Sequence, residues 1–237
     1  MKKVIIFAIL SFIFTTGFGQ RYLLYDNVEN EWAKRNTNYG PNKKHYFYPY
    51  LKAGQTIGAS ADSLPAKYWG SGSFGIGIRY KNKLTSWWSH GLDLSYNYQT
   101  YSIAQNNEKM LIDNIQYEKE KLNLHQIFGN YYWRFRMGRA GNYLGKFFDV
   151  GGYGAWNIGK NHVIKADEGI VNAKKQKTKF KNVDYLEDIE YGIIARIGFP
   201  RVAFYGQYRL STLLKDMPDN SDKLPNIVVG IELSLNR

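Results

Sequence analysis

Cysteine is absent from the 237 residues. With it go a disulfide framework, a thiolate metal site, a cysteine nucleophile and a lipid anchor on cysteine. Histidine is scarce. His45, His90, His125 and His162 are the four, and the sequence sets no serine–histidine pair, paired carboxylates or His/Asp metal spacing around them. The glycines follow strand periodicity rather than a phosphate-cradling loop, so neither an enzyme nor a cofactor or metal site is expected. Long apolar runs are also missing: the run at 4–14 is shorter than the about 20 residues a membrane helix needs. The mean hydropathy is negative. That does not exclude membrane strands, in which only every second residue meets lipid.

What is present begins with an export signature. Lys2 and Lys3 precede the apolar run, and Gly17 and Gly19 supply small residues before Gln20. Residues 1–19 are therefore expected to be a cleavable signal peptide. The formal net charge is +12. In an exported chain such a balance suits anionic lipid head groups or an acidic partner, and no nucleic acid is expected.

The chain is rich in aromatics, with 20 Tyr, 13 Phe and 6 Trp, and it alternates. In the last stretch Ile227, Val229, Ile231, Leu233 and Leu235 share one face against Val228, Gly230, Glu232, Ser234 and Asn236. Val202, Phe204, Tyr208 and Leu210 oppose Ala203, Tyr205, Gln207, Arg209 and Ser211 in the stretch before it. The same period of two sets Ile189, Tyr191, Ile193 and Ile197 against Glu190, Gly192, Arg196 and Gly198. It also sets Leu92, Leu94, Tyr96 and Tyr98 against Asp93, Ser95, Asn97 and Gln99, and Phe74, Ile76 and Ile78 against Gly75, Gly77 and Arg79. Such alternation predicts half-buried strands. Two more, at about 48–59 and 147–159, are Gly-rich. Another, at about 121–136, changes phase near His125 and Gln126, as a β-bulge would cause.

These eight stretches are joined alternately by short links, at 81–86, 138–142 and 200–201, and long ones, at about 60–70, 104–118, 161–186 and 214–224. The pattern predicts an all-β fold: an eight-stranded antiparallel up-and-down transmembrane β-barrel, with short turns in the periplasm and long loops outside. The expected organisation is a signal at 1–19, a periplasmic N-terminal extension at 20–45 and the barrel at 46–237.

A lipocalin-like soluble barrel would turn the apolar face inward, whereas a membrane barrel turns it outward. Eight strands leave an interior just wide enough for side chains, and bulky residues dominate the apolar face. That face is expected to meet lipid. Arg79, Asp93, Asp149, Glu190, Arg196, Arg209 and Glu232 then fall inside, mixed in sign, as a lumen charge network. Tyr48, Tyr50, Tyr80, Trp87, Trp88, Trp133, Phe135, Tyr143, Phe147, Phe199 and Phe204 fall near the short links, where a membrane barrel carries an aromatic girdle.

In these features the chain resembles the PorT-like outer-membrane β-barrel proteins of Bacteroidetes-type bacteria. The likeness lies in Tyr50-Leu-Lys-Ala-Gly-Gln-Thr-Ile-Gly58, Phe147-Phe-Asp-Val-Gly-Gly-Tyr-Gly-Ala155 and Ile189–Gly198. It continues in Phe204-Tyr-Gly-Gln-Tyr-Arg209 and the closing strand at 228–235. The resemblance implies a non-enzymatic barrel in the outer membrane of a Gram-negative bacterium, with both barrel termini periplasmic. Some members of that family serve the type IX secretion and gliding apparatus.

Three segments are candidate contact surfaces. Asp26-Asn-Val-Glu29 resembles a helix-capping box, and Val28 and Trp32, with Leu23 and Leu24 before them, offer one apolar face to a periplasmic or outer-membrane protein partner. The loop at 161–185 carries Lys165, Lys174, Lys175, Lys177, Lys179 and Lys181, suited to lipopolysaccharide phosphates. Met110, Leu111, Ile112 and Ile115 mark another outer loop as a contact surface or as strands continuing above the membrane. The alternative reading as a lipid A-modifying enzyme rests on His125 and needs a nearby serine or carboxylate.

Overall fold

The computed structural model describes residues 39–58, 66–105, 117–138, 144–165, 177–215 and 224–235, and among these the regular structure is all β. The expected signal, the candidate arm (Leu23, Leu24, Val28 and Trp32), the apolar residues of the 104–118 loop, and Lys174 and Lys175 lie outside the described residues.

Nine strands follow in order: β1 (His45–Ile57), β2 (Ala66–Lys83), β3 (Trp88–Ile103), β4 (Lys119–Met137), β5 (Lys146–Lys165), β6 (Lys177–Lys181), β7 (Ile189–Gly198), β8 (Val202–Arg209) and β9 (Ile227–Ser234). Every pairing between them is antiparallel. Eight close into a ring, because β4 pairs with β5, β5 with β7, and β9 returns to β1. β6 stands outside the ring, paired with the far end of β5. That is a departure from expectation. The stretch at 161–185 had no clean alternation and was expected as loop, yet β5 runs on to Lys165 and turns back through β6. Lys177-Thr-Lys-Phe-Lys181 alternates, but with lysines on one side and an exposed Phe180 on the other it shows no buried face, and its partner is the end of β5.

The strand ends joined by the short links lie at one rim and those joined by the long links at the other. Across the tightest of them, the Phe199 amide donates to the Val202 carbonyl at 2.7 Å, with Pro200 presetting the backbone for the turn. At the β2–β3 link the Thr85 hydroxyl accepts from the Trp88 amide at 3.1 Å.

Side-chain direction decides the character of the ring, and it runs apolar outward. Leu94, Ile193 and Ile231 stand outside at 55, 52 and 46% exposure, while Arg196 and Glu232 are buried at 1 and 0%. Outward neighbours pair across strands, Ile78 beside Leu94 and Phe74 beside Tyr98, the contact that stabilises a sheet face. Small residues make room inside. A Cβ at Gly198 would collide with the Phe147 ring, and one at Gly192 with the Tyr153 ring.

Two expectations need correction. Tyr48, Tyr50 and Phe147 are buried inside rather than in an outer girdle; Phe47 and Phe148 take the outward places beside them. Aromatic residues occur at both parities there, so alternation could not choose between faces. Outward aromatics also occupy both ends of the ring: Trp87, Trp133, Phe199 and Phe204 towards the short links, and Tyr98, Trp156 and Tyr191 towards the long ones.

The second correction concerns the phase change at His125. β4 alternates without interruption, and Leu122, Leu124, Gln126 and Phe128 all face inward. A bulge does sit there, but the extra residue is Ile158 on β5, since His125 pairs with Gly159 and Gln126 with Asn157. What changes in β4 is the chemistry of the interior it faces.

Candidate functional site

Inward parity gathers the charged residues on the ring axis. Arg79 of β2 lies 2.8 Å from Asp93 of β3 and 2.9 Å from Glu232 of β9. Arg196 of β7 reaches the same two carboxylates, each at 2.8 Å. Two cations and two anions thus interleave with every side chain out of solvent, and the Tyr50 hydroxyl donates a short hydrogen bond to Asp93. The Arg79 guanidinium also rests 4.4 Å from the centre of the Tyr50 ring. Burial of such charges is tolerated only when each finds opposite charge and hydrogen bonds.

Two further groups adjoin this cluster. Arg134 of β4 grips Asp149 of β5 through two hydrogen bonds of 2.7 and 2.8 Å and donates to the Tyr48 hydroxyl at 3.1 Å. Asp149 approaches Arg196 at 4.0 Å, linking both groups. Lys52 of β1 is buried with its ammonium 3.8 Å from the Phe128 ring centre, a cation–π contact.

Glu190 and Arg209 form a separate group nearer the long links. Glu190 accepts from Gln126 and Asn157, both at 2.9 Å. Arg209 lies 3.9 Å from Glu190 and donates to the Tyr101 hydroxyl at 2.7 Å. The void among these groups is about 20 Å³, room for roughly one water. Beyond them the interior turns apolar: Tyr101, Ile103, Leu122, Leu124, Leu186, Leu213, Leu214 and Leu224 pack into one cluster. At its margin the His162 ring lies 2.7 Å from Glu120, both buried. Lys160 donates to the Leu186 carbonyl at 2.9 Å and to Asp188 at 2.6 Å. The Lys160 hydrogen bond and charge hold the Asp188 carboxyl below the usual carboxylate range.

All seven residues expected in the lumen network are therefore buried, in two groups rather than one. Sequence reasoning missed Lys52, Arg134, Glu120 and the burial of His162. Arg134 was within reach, since it shares parity with Asn130 and Gln126. His162 was not, because its strand carried no visible alternation.

His125 faces outward. Its Nδ1 lies 2.6 Å from the Tyr96 hydroxyl and its ring packs against Tyr98; among the described residues no serine or carboxylate hydrogen-bonds to it. Among the described residues no group of three or more His, Asp or Glu is placed to hold a metal ion. Of the candidate lysines, Lys177, Lys179 and Lys181 are exposed along β6, and Lys165 pairs with Glu118 at 2.9 Å. No protein-family model matches the chain, and a search of curated proteins likewise finds no match.

Proposed function

We propose that the chain is a non-enzymatic outer-membrane β-barrel of PorT-like kind, serving as an accessory or structural component of an envelope assembly such as a secretion or gliding apparatus. The observation that carries this reading is the inversion of polarity: an apolar exterior around an ion-paired interior. A lipocalin-like carrier asks for the opposite, an apolar interior large enough for a ligand. A belt bounded by aromatics at both ends has the height a bilayer requires. Trp88 and Tyr98 on β3 are separated by about 33 Å of strand, or about 25 Å of height at the tilt common to such barrels.

The filled axis supports an anchoring role over a transport one, because side chains rather than water occupy the charged level of the ring. In this reading the short links and both barrel termini face the periplasm, and the long links face outward with lipid and lipopolysaccharide around them. Residues 20–45 would then offer Val28 and Trp32 to a periplasmic partner.

Two measurements test the proposal. Unheated protein extracted from outer membranes in detergent should migrate faster on a gel than boiled protein; fractionation with soluble proteins would refute the membrane reading. Co-purification from cells should recover envelope proteins with the full-length chain that are lost on deletion of residues 21–44. Identical protein sets would remove the docking role and leave the barrel.

A further inference from the structure

The outer face of β4, β5 and β6 changes character abruptly beyond the bulge. Below it Ile127, Trp156 and Ile158 are exposed and apolar. Above it the cross-strand rows read Asn123–Asn161–Lys181, then Lys121–Val163–Lys179, then Lys119–Lys165–Lys177. Six lysines thus occupy one face of three adjacent strands, and in the last row three stand directly opposite one another. Like charges so placed destabilise a sheet. Only Lys165 of the six has an ion-pair partner among the described residues, Glu118. A face built against its own stability in this way is suited to an external anion.

The same face is hollow. A trough of about 740 Å³ has Lys119, Lys121, Lys165 and Lys177 along one wall and β1 to β3 along the other, where Phe74 and Tyr98 of the apolar exterior join Gln55 and the small residues at 70–73. Its lining joins cationic groups to exposed aromatic rings, which matches an amphiphile rather than a free anion. We infer that this trough binds the phosphorylated head group of an outer-leaflet glycolipid, with its acyl chains on the apolar wall below. The inference rests on the membrane reading above. It extends the contact expected of the 161–185 segment to a surface shared with β4, in which Lys119 and Lys121 take part.

The test compares apparent affinities of the purified, detergent-solubilised chain by native mass spectrometry. The probes are diphosphorylated lipid A, the same lipid fully dephosphorylated, and soluble tripolyphosphate. The proteins are wild type, Lys119→Gln/Lys165→Gln/Lys177→Gln, and a control at the opposite rim, Lys146→Gln/Arg201→Gln. Wild type should prefer the diphosphorylated lipid at least tenfold over the dephosphorylated one. The triple variant should lose on the order of 30-fold in affinity for it, with the control within twofold of wild type. Higher salt should erode the wild-type preference, a readout that needs no variant. Equal wild-type binding of the two lipids would overturn the inference. So would tripolyphosphate binding as tightly as the lipid, which would indicate a soluble polyanion. If heat-modifiable migration persists in either case, the membrane reading stands while the trough loses its ligand; if migration is also unmodified, both fail together.

Discussion

The two halves of the ring interior solve the same problem by opposite chemistry. Towards the short links the axis is filled by Arg79, Asp93, Arg196, Glu232, Arg134 and Asp149, held at ion-pair distances. Towards the long links it is filled by leucines and aromatics, with Leu122, Leu124, Leu186 and Leu214 at the centre. The first half lies at the level of the apolar outer belt and the second at the level of the exposed lysines. An apolar exterior leaves the strands only their inward positions for polar residues. Where the exterior turns hydrophilic, the interior can be an ordinary hydrophobic core.

This contrast can be broken residue by residue. The largest effect is expected from Arg196→Met, which leaves Asp93 and Glu232 to share the single guanidinium of Arg79. Breaking one partner out of a buried ionic cluster costs about 3–5 kcal/mol, read as a lower denaturation midpoint in detergent. Next is Leu94→Arg on the outer belt. In a bilayer a charge at mid-depth costs about 2–4 kcal/mol, so folding into phosphatidylcholine vesicles should be impaired. If Leu94→Arg folds into vesicles as well as wild type, the exterior does not face hydrocarbon.

Leu122→Ala probes the apolar half, where loss of a buried leucine costs about 2–5 kcal/mol. Hydrogen exchange should accelerate in β4 near Leu122 while the segment around Arg134 stays protected; uniform acceleration would show that the two halves unfold as one. The smallest effect concerns pH. Lys160 holds the exposed Asp188 carboxyl below its ordinary pKa, so this contact stabilises the folded state above about pH 4, the ordinary range for aspartate. It is lost as the pH falls through the depressed value. Asp188→Asn should remove that part of the acid sensitivity, measured as the change in midpoint between pH 5 and pH 2.

The ring itself was legible because the outward residues of its belt, Ile78, Leu94, Ile193 and Ile231 among them, are apolar on strand after strand, and a period of two is then enough. The seven expected interior charges were legible for the same reason, since each shares parity with glycines or small polar residues. Legibility failed where the surroundings changed along a single strand. In β4 the inward face passes from Arg134, Asn130 and Gln126 to Leu124 and Leu122, so constant geometry reads as a shift of phase. It failed again in β1, where Tyr46, Phe47, Tyr48 and Tyr50 put rings on both faces. In β6 the lack of a buried face concealed an element that pairs with β5. The cross-strand lysine rows need the register of three strands, which no single stretch of sequence contains.

The strands are unequal: β2 to β5 run 16 to 20 residues, β7 to β9 only 8 to 10. One flank of the ring is thus built of strands about twice the length of the other's, while the short flank is continued by the bridge of Leu186 to Leu214. A cylinder of even height looks alike from every bearing, but this one has a front. In the membrane proposed above, a neighbour approaching in the plane of the bilayer would meet long strands on one side and short ones on the other.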